Sequence, residues 1–285
     1  MKTLKFLGTA ASEGIPALFC RCELCMEAKR RGGRDLRTRA GITIGGGLQI
    51  DFPPDTYSHM LRYGLDLGKL GHLLITHNHS DHFDVDELAN YNTTAAHIDR
   101  SAPLKIYFNR SCRDRIFSSG DPFTDRTSMN PVEYIVAEPF FRYETEELYF
   151  TPLIAYHDKS QQCLNYFIEV KNGKNVLYAL DCKSYPEATL DFLKKQTVDI
   201  CICDATHLFN PCSVHRDYYD VLDFRGFLRD NGILPQDGKF IASHFSHNGN
   251  NGREGGRLRM LHENLERIYG PSGIEVAYDG LELEV

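Results

Sequence analysis

Thr76-His77-Asn78-His79-Ser80-Asp81-His82 places four metal-ligating side chains within residues 77–82, directly after the apolar run Leu73-Leu74-Ile75. Imidazoles there suit zinc, iron or manganese, and the carboxylate keeps the site open to harder metals. A solvated turn with coincidental histidines is the plainer alternative. The strand-like run before it and a set of similar runs later in the chain argue against that. Pro152-Leu153-Ile154 leads to His157, Val176-Leu177-Tyr178-Ala179-Leu180 ends at Asp181, and Phe240-Ile241-Ala242 ends at His244. If these runs are strands of one fold, His77, His157, Asp181 and His244 converge on one sheet edge, where loops on a rigid scaffold build sites.

Strands dominate the first fifty-odd residues as well. Leu4–Leu7 runs into the loop Gly8–Pro16, and Gly41–Ile44 and Leu48–Asp51 flank Gly45-Gly46-Gly47, a hairpin signal. Apolar spacing predicts helices over Asp84–His97, Pro186–Lys195 (with Pro at its first position), Arg216–Arg229 and Arg253–Ile268. Hairpins mixed with alternating strands and helices predict an α+β chain of two sheets with helices packed outside them. Without an internal repeat or a Pro/Ser-rich linker, residues 1–285 read as one domain, with the stretch between His82 and Phe150 as an elaboration.

Composition narrows the possibilities. Of 285 residues, 42% are hydrophobic and 25% charged, ordinary for a chain with a substantial core. A formal charge of −7 argues against a broad basic surface for a nucleic-acid polymer. No apolar run approaches the ~20 residues of a bilayer span. The opening MKTLKFLGTAASEGIPALFC resembles a lipoprotein signal only faintly, since Glu13 and Pro16 interrupt it, so a cytoplasmic chain without a membrane partner is expected.

Twelve histidines and nine cysteines are many for this length. Three cysteines crowd into Cys20-Arg21-Cys22-Glu23-Leu24-Cys25, which reads as a metal clip more readily than as a disulfide framework. Three thiolates need one more ligand for tetrahedral zinc. His247, in Ser243-His244-Phe245-Ser246-His247, is the candidate, with His244 turned toward the other site. Free or redox-active thiols are the alternative.

The run His77-x-His79-x-Asp81-His82, with His157, Asp181 and His244, resembles the metallo-β-lactamase superfamily over nearly the whole chain. That resemblance implies an αβ/βα sandwich with the site along the top edge of two facing sheets. It also implies two divalent ions, Zn or Mn. His77, His79 and His157 would hold one, Asp81, His82 and His244 the other, and Asp181 would bridge them. Such a pair can share a hydroxide that attacks phosphorus. The Cys20-x-Cys22-x-x-Cys25 clip, with Gly8-Thr9-x-x-x-x-Gly14-x-Pro16 and Tyr278-Asp279-Gly280-Leu281-Glu282-Leu283, is similar to the PhnP group of phosphodiesterases. The clip also occurs in the PqqB group of coenzyme-biosynthesis proteins, whose His motif is usually degraded, whereas this one is intact.

Within the PhnP-like pattern, His215 in Val214-His215-Arg216-Asp217 corresponds to the proton donor for the leaving group, a task suited to histidine. His207, in Cys203-Asp204-Ala205-Thr206-His207, is its rival. Asp81 and His215 are thus the expected catalytic residues, and a third, structural zinc is expected on Cys20, Cys22, Cys25 and His247. The expected activity is metal-dependent hydrolysis of a small phosphodiester, cyclic ones included. Alternatives are a glyoxalase II-type thioester hydrolase, a tRNA 3′-processing nuclease, and a non-catalytic PqqB-like carrier. Homodimerisation is a further implication of the resemblance.

Other features carry plainer readings. The loop Gly8–Pro16 either offers N–H groups to a phosphate or simply turns the chain. Lys29–Arg34 reads as a solvated charged loop. Cys201 and Cys203, alternating with Ile200 and Ile202, read as core, and so does Cys182. His59, His72, His97 and His262 receive no role.

Overall fold

The computed structural model describes residues 2–93, 95–98, 102–118, 130–252 and 255–285. Its strands are β1 (Thr3–Gly8), β2 (Gly41–Ile44), β3 (Leu48–Ile50), β4 (His72–Leu74), β5 (Leu104–Phe108), β6 (Val132–Val136) and β7 (Tyr143–Glu144). They continue as β8 (Leu148–Ala155), β9 (Cys163–Val170), β10 (Asn175–Ala179), β11 (Ile200–Asp204), β12 (Lys239–Ser243), β13 (Glu275–Val276) and β14 (Glu282–Glu284). The helices are α1 (Glu23–Arg31), α2 (Thr56–Tyr63), α3 (Val85–Ala89), α4 (Arg110–Ser118), α5 (Glu187–Leu193), α6 (Tyr218–Asp230) and α7 (His262–Tyr269).

The strands form two seven-stranded mixed sheets, in the orders β14-β1-β2-β3-β4-β5-β6 and β13-β12-β11-β10-β9-β8-β7. This is the αβ/βα sandwich anticipated from the sequence. Period-2 alternation explains the layering, because strands buried on both faces send successive side chains into different cores. In β10, Val176 and Tyr178 point between the sheets, while Leu177 and Ala179 pack under the outer helices. In β11, Ile200 and Ile202 lie between the sheets, whereas Cys201 and Cys203 face the outer layer, fully buried, as the alternation anticipated. A smaller cluster packs α3 and α4 on the other sheet through Leu88, Ile106, Phe108, Cys112 and Ile116.

The stretch between His82 and Phe150 is more than an elaboration. It supplies β5 and β6, which extend the first sheet in parallel, and β7 at the edge of the second. Residues 119–129 of that stretch lie outside the described residues.

Several helices differ from expectation. The helix expected over Asp84–His97 stops at Ala89 and tightens into a single turn at Asn90–Asn92, where Asn and Thr favour caps over helix interior. Thr94 falls outside the described residues. Arg253–Ile268 is interrupted. Gly255 and Gly256 take φ of 76° and 55°, only a short turn covers Arg257–Met260, and α7 begins after extended Leu261. Arg253 and Glu254 lie outside the described residues. Asp217 caps α6, its carboxylate accepting from the Tyr219 and Asp220 N–H groups, so the helix starts after Arg216. Pro186 is the residue before α5 rather than its first. The basic stretch is not a loop, because Lys29, Arg30 and Arg31 form the last turn of α1, where cations suit the helix dipole. Gly33, Arg34 and Asp35 form a short 3₁₀ turn beyond it.

Candidate metal centre

Three strands end in a residue that leaves the extended conformation abruptly. Asp51 after β3, Asp181 after β10 and His244 after β12 have φ of 64°, 48° and 66°. This left-handed region is uncommon for side-chain-bearing residues, though Asp and His are among those that tolerate it. The turn lifts each side chain from the sheet face to the shared top edge. Backbone strain of this kind clusters at functional sites and costs on the order of 1–3 kcal/mol per residue.

At that edge the anticipated residues come together in two sets. His77 Nε2 and His157 Nε2 stand 2.8 and 3.3 Å from His79 Nδ1. His82 Nε2 lies 3.2 Å from Asp81 Oδ2 and 2.8 Å from Asp181 Oδ2, with His244 Nε2 3.1 Å from the same oxygen. The other Asp181 oxygen is 3.5 Å from His157 Nε2, so this carboxylate has one oxygen toward each set.

Each imidazole is held from behind through its second nitrogen. His77 Nδ1 meets Thr76 Oγ1 at 3.0 Å, His79 Nε2 meets Asp158 at 3.3 Å, and His82 Nδ1 meets Asp51 at 2.7 Å. His157 Nδ1 meets the Val214 carbonyl at 3.2 Å, and His244 Nδ1 meets Thr206 Oγ1 at 2.8 Å. Outer partners of this kind fix ring orientation and tautomer at metal sites. They leave His82 Nε2, His244 Nε2 and Asp181 Oδ2 buried and close to one another but not aligned as hydrogen bonds. Orphaned buried polar atoms are costly, and divalent cations are what this donor set fits. His79, with 44% of its side chain exposed, marks the open side.

Asp204, which the sequence reading passed over, joins several of these groups. Its Oδ1 accepts from the Thr206 N–H and hydroxyl, and its Oδ2 accepts from the Cys182 N–H and His215 Nδ1 at 3.1 and 2.9 Å. Burial works against a charged His215, yet the Asp204 carboxylate prevails and lifts its pKa to about 9. Burial lowers that of His207, whose Nδ1 is buried and unpartnered. The signal for Asp204 was a carboxylate closing an apolar run. Only the parallel pairing of β10 with β11, Ala179 opposite Cys203, brings it beside Asp181.

The cysteine cluster closes on His247. His247 Nδ1 lies 3.5, 3.8 and 3.3 Å from the Sγ atoms of Cys20, Cys22 and Cys25. Zn–S and Zn–N bonds of about 2.3 and 2.0 Å place tetrahedral ligand atoms about 3.5 Å apart, which matches. The Ala17, Cys22 and Cys25 N–H groups point at the three sulfurs. The Cys22 N–H holds the Cys20 thiol below its usual pKa, whereas burial pushes Cys25 up to about 12.

The loop Gly8–Pro16 gives most of its N–H groups to backbone carbonyls. Thr9 and Ala10 donate to Thr38, Ala11 to Phe245, Gly14 to Ala11 and Ile15 to Arg37. These bonds make it a structural tie between the first strand, Thr38 and Phe245. Gly8 is required by close approach, since a Cβ there would lie 2.0 Å from the Arg39 carbonyl.

The family model of the beta-lactamase superfamily domain matches residues 50–215. The chain belongs to that superfamily. It has the metallo-β-lactamase fold, which implies divalent metal ions. A crystal structure of a diphosphatase of the PhnP family covers 100% of this chain and 98% of its own at 24% identity, with a TM-score of 0.75. Zn²⁺-bound PqqB from Methylobacterium extorquens covers 99% of this chain and 100% of its own at 17% identity, with a TM-score of 0.68. Both likenesses are of fold. An octanoyltransferase of Porphyromonas gingivalis (strain ATCC BAA-308 / W83) is 32% identical over 114 residues, 39% of this chain and 22% of that protein. The chain thus spans about a fifth of the length of the curated relative it matches. Among the described residues, no helix is long and apolar enough to cross a membrane.

Proposed function

We propose that this chain is a dinuclear metal-dependent phosphodiesterase acting on a small phosphodiester. In this reading His77, His79 and His157 hold one divalent ion, Asp81, His82 and His244 the other, and Asp181 both. Cys20, Cys22, Cys25 and His247 hold a structural zinc. Two divalent ions so held supply Lewis acidity toward phosphoryl oxygens and an activated water.

The observation that carries the reading is the Asp204–His215 pair beside the double ligand set. Asp204 accepts from His215 Nδ1 and favours the protonated ring. That leaves Nε2 free to hand a proton to a departing alkoxide, whose poor leaving ability makes donation necessary. The His215 ring lies 4.7 Å from that of His157 and 5.5 Å from that of His244, on the border of the ligand cluster. Asp81 contributes as a ligand buried against His82. A PqqB-like carrier would need no such donor, and a thioester hydrolase expels a thiolate, which leaves without one.

The test sets a bis(aryl) phosphate against an aryl monophosphate and an acyl thioester, with purified, metal-replete protein. Diester hydrolysis that a chelator abolishes and added metal restores is the expected result. Turnover of the thioester alone would replace this reading with thioester hydrolysis, and inertness toward all three would favour the carrier.

A further inference from the structure

His215 sits at the end of a loop whose residues Pro211 and Ser213 are exposed, yet the next residue, Arg216, is only 2% exposed. Its Nη1 donates to Cys203 Sγ at 3.4 Å and its Nη2 to Cys182 Sγ at 3.7 Å. The guanidinium lies 4.0 Å from the centre of the Phe224 ring and 5.5 Å from that of Tyr185. Among the described residues, no carboxylate lies within ion-pair distance of it. A desolvated cation without an acid partner is costly, and apolar replacement of buried charges is often stabilising. Cation–π contact and two sulfur acceptors offset only part of that cost.

The placement of the contacts suggests why the cation is there. Each involves the sequence neighbour of a site residue: Arg216 follows His215, Cys182 follows Asp181, and Cys203 precedes Asp204. The planar fork has two donors in fixed relation, which an ammonium group cannot reproduce. We infer that Arg216 is a positioning residue, its guanidinium locking His215 against the strand ends that carry Asp181 and Asp204. A second clasp, the Lys183–Asp220 ion pair, joins the same two segments farther out. The kinetic part of this inference rests on the reading of His215 as proton donor.

Arg216→Met and Arg216→Lys are compared with the wild type and His215→Ala on alkyl and nitrophenyl phosphodiesters. Misplacing a catalytic group by an ångström costs on the order of 10²-fold. Arg216→Met is therefore expected to lose about that factor on alkyl diesters, much less on nitrophenyl diesters, with metal content unchanged. Adding His215→Ala to it should cause little further loss, because the two residues act as one unit. Arg216→Lys should fall between, and it carries the same readouts if the Met variant does not fold. An activity-independent arm follows the low-field proton NMR signal of His215 Nδ1–H on Asp204, assigned by its absence in His215→Ala. That signal should broaden or vanish in both Arg216 variants. Its persistence, or an equal rate loss on both substrate classes, overturns the inference. If His215→Ala itself shows no leaving-group dependence, the functional reading fails, and the NMR arm alone decides the positioning role.

Discussion

His207 and His215, whose ring centres lie 6.1 Å apart, differ in what stands behind them. Asp204 backs His215, whereas His207 has a buried, unpartnered Nδ1. General acids typically contribute roughly 10²–10⁴-fold. His215→Ala should cut alkyl or ribosyl diester hydrolysis by that order while slowing nitrophenyl diesters far less and leaving metal content intact. His207→Ala should do neither, and the reverse pattern would transfer the role to His207. A different histidine contributes to acid stability. His262 Nδ1 accepts from Arg37 Nη2 at 2.9 Å, so protonation would break that bond. Burial, with Arg37 and Arg34 nearby, depresses its pKa to about 4. An unfolded histidine titrates near 6.5. The unfolded chain therefore binds the extra proton between those values. The contribution of His262 is full above pH 6.5 and is lost as pH falls toward 4. His262→Asn keeps an acceptor for Arg37, so denaturant midpoints of this variant should fall less steeply than wild type over that window. Parallel slopes would remove His262 from the account.

At the scale of elements, local signals were legible and long-range ones were not. The residues His77–His82 announce themselves because four ligands crowd one loop. The edge residues His157, Asp181 and His244 were readable because each follows an apolar strand. Asp51, Asp158 and Thr206, which hold His82, His79 and His244 from behind, are single polar residues whose meaning arises only when strands pair across the chain. Helix α1 was missed because it presents just Leu24, Cys25 and Ala28 to the core and begins inside the cysteine cluster. Its position has a consequence for the clip. Cys20, Cys22 and Cys25, at the start of α1, lie 3.5, 3.8 and 3.3 Å from His247 Nδ1, and the Ala11 N–H donates to the carbonyl of Phe245, the residue after His244. Cys22→Ser should lower the melting temperature and weaken metal retention at the distant centre. Normal stability with unchanged metal content would show that Cys22 ligates nothing.

Across the whole molecule, two sheets share one top edge, and both ligand sets draw on both sheets. His77, His79, Asp81 and His82 follow β4 of the first sheet, whereas His157, Asp181 and His244 follow β8, β10 and β12 of the second. Metal held as proposed would span the sandwich, and ligands that bind only the folded state stabilise it by mass action. As proposed, the clip would be closed by four protein ligands, whereas the edge centre has an open side at His79, so the two should differ in exchange. The most direct test is native mass spectrometry of protein purified without chelators, before and after mild chelation. Three metals per chain falling to one retained zinc is the expected result, with the loss of two confined to chains that have His82 and Asp181 intact. A chain that carries no metal after gentle purification would contradict the account at its centre.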